Sequence, residues 1–186
     1  MYTDTHCHLY LDAFQADLDA VLERAWSAGV ERIMIPGIDL ETSRQAIQLS
    51  ERDPRLFAAV GVHPNNCAGW TDASLDVLRE LAAHPKVRAI GEIGLDYYWE
   101  ETSHEWQAEV LRAQLALAEE LSLPVVIHNR ESFSDLWPIL ETWQRHLSGQ
   151  GSALEHTPGV LPSFEGEIAQ AQTAVDRHFL LGISGP

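Results

Sequence analysis

What most constrains the fold of this chain is a repeated alternation of two patterns. Short runs of apolar and β-branched residues are each followed by a longer stretch of helical period. The runs predict strands at residues 2–9, 32–36, 56–62, 87–93, 124–128, 159–161 and 179–183. Between them, apolar side chains recur every three or four positions. Phe14, Leu18, Val21, Leu22 and Ala25 predict a first helix, ended by Gly29. Ala46, Ile47 and Leu49 follow a cap at Asp39 or Thr42, and Leu75, Leu78 and Leu81 follow Asp72. Trp106, Val110, Ala113, Leu117 and Leu121 make the longest helix, which stops before Pro124. Leu140, Trp143 and Leu147 form the next, with Pro138 expected in its first turn, where no helical hydrogen bond is lost. Ile168, Ala171 and Val175 mark the last helix. Residues 148–152 read as a flexible loop within a single domain covering 1–186.

Alternating strands and helices specify a parallel sheet. Val125-Val126-Ile127 is an apolar run suited to the middle of one. Seven strands in succession suit a TIM-type (β/α)8 barrel better than a doubly wound nucleotide-binding sheet. No Gly-x-Gly-x-x-Gly turn follows the first strand, and there is no P-loop. Barrels of this kind usually need at least about 200 residues, and the chain has 186. The expectation is an incomplete barrel of about seven strands, with the eighth missing.

Barrel chemistry sits at the C-terminal ends of the strands. His6 and His8 lie two apart in the first strand, so their side chains share a face and Cys7 takes the other. Alone, that pair reads equally as part of a metal site or as two half-exposed histidines. His63 then follows the third strand, Glu92 ends the fourth in Gly91-Glu92-Ile93-Gly94-Leu95-Asp96, and His128 ends the fifth beside Asn129 and Arg130. Delivery of one ligand-type side chain at the same end of nearly every clear strand favours a metal centre over coincidence. Mixed histidine and carboxylate donors suit Zn²⁺, Mn²⁺ or Mg²⁺. A carboxylate such as Glu92 has two oxygens and can bridge two ions. Two neighbouring ions activate a water and stabilise both ends of a phosphodiester displacement. His63 and Arg130 are candidates to hold a phosphate oxygen, and Asp96 to orient a ligand from behind.

Other residues carry less. His84, His104, His146 and His178 fall in or beside helices and read as surface residues. Cys7 and Cys67 have no adjoining basic residue to activate a thiolate. The net charge of -16, from 12 basic and 28 acidic residues, argues against loose binding to nucleic acid, which rests on Lys and Arg. It leaves room for a nuclease whose metal ions supply positive charge where a phosphate must sit. No apolar run is long enough to cross a bilayer, no signal-peptide pattern is found, and the two cysteines form no disulfide framework. A cytoplasmic protein without membrane contact is expected.

Thr5-His6-Cys7-His8-Leu9, Val60-Gly61-Val62-His63-Pro64, the 91–96 segment with Tyr97, and Pro124-Val125-Val126-Ile127-His128 occur in that order. Together they resemble the TatD family of metal-dependent hydrolases, DNases on a TIM-type barrel in the amidohydrolase superfamily. The resemblance runs the length of the chain. It implies His6, His8, Glu92 and His128 as metal ligands, Glu92 as the bridge between two divalent ions, and DNA as the substrate. Two departures accompany it. The family carries a ligand histidine after its sixth strand, where this chain has Pro162 in Gly159-Val160-Leu161-Pro162-Ser163-Phe164. His156 lies six residues earlier, on the far side of the strand. Residues 182–186 resemble the seventh strand and its turn, and the eighth strand with its ligating aspartate is not in this sequence.

By this reading each ion is one protein ligand short, and a truncated enzyme with weaker metal binding and lower DNase activity is expected. Open edges on the first and seventh strands would favour self-association. Two other functions fit the same residues: hydrolysis of small esters, lactones or amides on the same fold, and a catalytically inactive barrel that binds a partner.

Overall fold

The computed structural model describes residues 2–184. Its strands are Tyr2–Asp4 (β1), Val30–Pro36 (β2), Leu56–Val60 (β3), Val87–Asp96 (β4), Val125–Arg130 (β5), Gly159–Leu161 (β6) and Leu180–Leu181 (β7). Its helices are Asp12–Gln15 (α1), Leu18–Ser27 (α2), Leu40–Ser50 (α3), Asp72–Ala82 (α4), His104–Leu121 (α5), Phe133–Gly149 (α6) and Ile168–Asp176 (α7). All strand pairings are parallel, and the spatial order β1 to β7 repeats the order in the chain. This is the winding of a TIM-type barrel. The seven strands form an open part of one, with β1 and β7 as its edges among the described residues.

Alternation along the strands builds two apolar layers. Ile33, Ile35, Ala58, Val60, Val125 and Ile127 are buried in the main core between sheet and helices. The alternate residues Ala59, Ala89 and Val126, with Met34 and Val160 beside them, form a smaller cluster inside the curve of the sheet. Between the two edges this inner layer opens on an apolar cavity of about 200 Å³, reached by Thr3 and Leu180.

One irregularity sets the direction of Glu92. Ile90 pairs with Val125 and Ile93 pairs with Ile127, so three steps along β4 match two along β5. This is a β-bulge at Gly91–Glu92. Ile90 faces the helices, and strict alternation would send Glu92 to the same side. The extra residue shifts the phase: Ile93 and Leu95 join the helix-facing core, and Glu92 lines the cavity at the strands' C-terminal ends.

Several expected boundaries move. The first strand ends at Asp4, and His6 to His8 follow in an extended segment tied to β2 by Cys7 N–H donating to the Met34 carbonyl. The predicted first helix is two, because the chain turns at Ala16-Asp17, and Asp starts helices better than it continues them. Asp39 and Thr42 both cap α3, each side chain accepting from the other's backbone N–H at 2.8 and 3.0 Å. Pro138 is not in a first turn; it is the sixth residue of α6. Pro138 and Ser134 are both exposed, so the Ser134 carbonyl that lacks its amide partner is solvated. Residues 148–149 close α6 rather than open a loop. The seventh strand is shorter than expected, and the turn read at Gly185-Pro186 lies outside the described residues.

Candidate metal centre

Three donor atoms meet at the mouth of the sheet. His6 Nε2 and His8 Nε2 are 3.0 Å apart, and Glu92 Oε2 lies 3.2 Å from the first and 3.3 Å from the second. Metal–ligand bonds of about 2.0–2.1 Å at tetrahedral angles place donors roughly 3.3 Å apart, so the trio has the spacing of a coordination triangle. The ring orientation agrees. His8 Nδ1 is 2.7 Å from the Tyr10 hydroxyl and 3.0 Å from the Pro36 carbonyl, and these contacts turn Nε2 toward the trio. His6 Nδ1 is buried without a partner, so the polar contacts of that ring are the ones Nε2 makes here. These residues fit a divalent cation.

The other oxygen of Glu92 faces a second group. Oε1 lies 2.9 Å from His128 Nδ1 and 3.9 Å from His63 Nε2. His128 Nε2 is 2.9 Å from Asp96 Oδ2, which also accepts from Asn65 Nδ2 at 3.1 Å. Burial would raise the Glu92 pKa, yet hydrogen bonds from His128, His6 and His8 outweigh it and hold the carboxyl well below the usual range. Burial works against a charged His128, but Glu92 and Asp96 on its two sides prevail and raise its pKa. Asp96 is lowered despite burial, by backbone and side-chain donors. His63 goes the other way, down to about 4, chiefly through burial and then through its neighbour His128. Its Nδ1 accepts from the Asn65 backbone N–H at 3.1 Å, so the neutral ring carries its proton on Nε2 and points it into the cavity. A neutral His63 with its proton on Nε2 can donate to an oxygen bound in the cavity, and His63, Glu92 and His128 also form a second group that could hold a metal ion.

Two glutamines of α5, spaced seven apart and both buried, hold the strand ends in place. Gln114 accepts from Val62 N–H at 2.7 Å and donates to the Val62 carbonyl at 3.0 Å, next to His63. Gln107 does the same for Asp96, at 2.9 and 3.0 Å. Neither was among the expected site residues. A buried Gln on the apolar face of a helix was the available signal, and it does not say which backbone it serves. Gln107→Leu leaves two buried backbone groups of Asp96 unpaired, at about 1–3 kcal/mol each. The expected loss is about 3 kcal/mol of unfolding free energy, read from urea denaturation, with metal affinity falling alongside.

The other expected residues separate clearly. A cavity of about 580 Å³ opens over Glu92, and Arg130, Asn65 and Pro162 line its wall. Pro162 offers no donor there. His156 does not replace one: it is exposed, it precedes β6 rather than following it, and it pairs with Glu155 at 2.9 Å. His84 is half-buried against Glu51, whereas His104, His146 and His178 are exposed. Cys7 and Cys67 are free, and burial raises both thiols, Cys7 to about 11. No helix among the described residues is long and apolar enough to cross a membrane.

Comparison with known proteins places this geometry in a lineage. The family model described as "TatD related DNase" matches residues 3–186. A Bacillus subtilis relative named "uncharacterized metal-dependent hydrolase YabD" is 38% identical over 186 residues, covering 100% of this chain and 69% of that protein. The "3'-5' ssDNA/RNA exonuclease TatD" of Salmonella typhimurium is 34% identical over 182 residues, covering 98% of this chain and 66% of the relative. The crystal structure of the TatD homolog YjjV from Escherichia coli superposes with a TM-score of 0.82 at 33% identity, over 97% of this chain and 66% of that one. The chain thus spans about two thirds of the length of the relatives it matches.

Proposed function

Because this chain belongs to the TatD related DNase family, whose members are metal-dependent hydrolases, we propose that it cleaves phosphodiester bonds of DNA with two divalent ions. The observation that carries the reading is the split role of Glu92. Its Oε2 faces His6 and His8, and its Oε1 faces His128. A carboxylate so placed is suited to bridge two ions, Mg²⁺, Mn²⁺ or Zn²⁺. His6, His8 and Glu92 would hold the first. Glu92 and His128 would hold the second, less tightly, because Pro162 brings no donor to that wall of the cavity. Bound there, the ions supply Lewis acidity at the phosphoryl oxygens and a lowered pKa for water.

The protein's own groups complete the reading. His63 donates from Nε2 to a non-bridging phosphate oxygen, and its low pKa keeps it neutral in doing so. Arg130, on the same wall, neutralises a phosphate from the cavity rim. Asp96 positions His128 by accepting from Nε2 and fixes which ring nitrogen faces Glu92. Asn65 Oδ1 is buried beside the cavity without a partner, an acceptor available to a bound group.

The test is a pair of assays on the purified protein with Mn²⁺ or Mg²⁺. One follows shortening of an end-labelled single-stranded oligonucleotide, and the other turnover of small esters and lactones. The expected result is slow, EDTA-sensitive DNA cleavage without ester turnover. Ester or lactone hydrolysis at the same metal concentrations, with intact DNA, would replace the nuclease reading with the small-molecule one.

A further inference from the structure

The β4 end carries a feature that the metal chemistry does not use. Two and three residues after Asp96, Tyr98 and Trp99 are each 49% exposed, although aromatic rings of this size are normally buried. Their rings meet edge to face, 4.9 Å apart at 85°. The Arg130 guanidinium lies 4.0 Å over the Tyr98 ring while lining the metal cavity. Arg130 pairs in register with Asp96 across β4 and β5. The turn is anchored as well. Asp96 Oδ1 accepts from the backbone N–H of Tyr98 at 3.0 Å and of Trp99 at 3.1 Å, while Oδ2 of the same carboxylate holds His128. One buried side chain therefore sets the aromatic turn and the metal ligand in a common frame.

We propose that Trp99, backed by Tyr98 and Arg130, is a stacking platform for a nucleobase of single-stranded nucleic acid next to the phosphate at the metal centre; this rests on the nuclease reading above. Trp99 is about half exposed, which leaves side-chain surface for a base to contact. The perpendicular Tyr98 ring, covered by Arg130, braces it. Arg130 then stands between platform and cavity, where the phosphate that links the stacked nucleotide to the next must pass. Stacking suits this protein because its charge of -16 cannot hold a polyanion by general attraction. It also requires an unpaired base, because a base inside a duplex offers no free face.

The experiment measures binding by fluorescence anisotropy in Mg²⁺, using a labelled oligothymidylate with nuclease-resistant linkages and an abasic oligomer of equal length and charge. The wild type is expected to prefer the thymidylate. Trp99→Ala should weaken thymidylate binding about tenfold, the scale of one lost base stack, and leave abasic binding and calorimetric Mn²⁺ binding unchanged. Trp99→Phe should recover most of the loss, which a merely structural defect would not. Equal binding of both oligomers by the wild type, or equal losses on both with Trp99→Ala, overturns the platform and leaves the nuclease reading standing. Absence of binding to either oligomer by a metal-loaded wild type overturns both.

Discussion

Glu92→Gln is expected to abolish tight binding of divalent metal and, with it, any hydrolytic activity. The substitution keeps size and one carbonyl oxygen but removes the charge and the second acceptor. In the native protein Oε2 meets His6 and His8, and Oε1 meets His128. Every candidate ligand therefore touches this one buried side chain. Outer partners of a metal ligand are typically worth 10–100-fold in affinity, so loss of the shared ligand itself should cost at least about 100-fold. Thermal unfolding with and without Mn²⁺ reads the effect. At a metal concentration about 100 times the wild-type Kd, binding adds about 2.7 kcal/mol; a 100-fold weaker variant gains only about 0.4 kcal/mol. An unchanged metal-induced shift in Glu92→Gln would remove this residue from the centre.

The second large effect is expected at a residue with no side chain. Gly94 stands beside His128 in the β4–β5 ladder with φ of 155°. A Cβ on Gly94 would run into the backbone carbonyl of His128, a strand atom that cannot swing away. Gly94→Ala must therefore push β5 from β4 at the point where His128 is aimed at Glu92. The expected loss is on the order of 4 kcal/mol, or failure to fold. Gly149→Ala is the control: nothing lies within 4 Å of its Cβ position at the end of α6. It should be neutral or gain up to about 1 kcal/mol, since alanine is the better helix residue. Urea denaturation of the two variants compares them directly, and equal midpoints would refute the steric argument.

Much of this protein follows from its sequence alone. Strand–helix alternation determined the parallel winding, because periods of 2 and 3.6 are local properties of the chain. Donor types at strand ends determined which residues to consider, and His128 needs only simple alternation from Val126 to face the cavity. Glu92 is different. Alternation from Ile90 would turn it toward the helices, and the bulge that turns it inward is defined by how β4 pairs with β5. The His8 ring is likewise oriented by a carbonyl 28 residues away, and the frame around Asp96 is held by a glutamine eleven residues on. Pattern along a chain encodes the direction of a side chain in regular structure. Register, ring orientation and the pairing of buried backbone depend on atoms from other strands and helices, and only the tertiary structure brings those together.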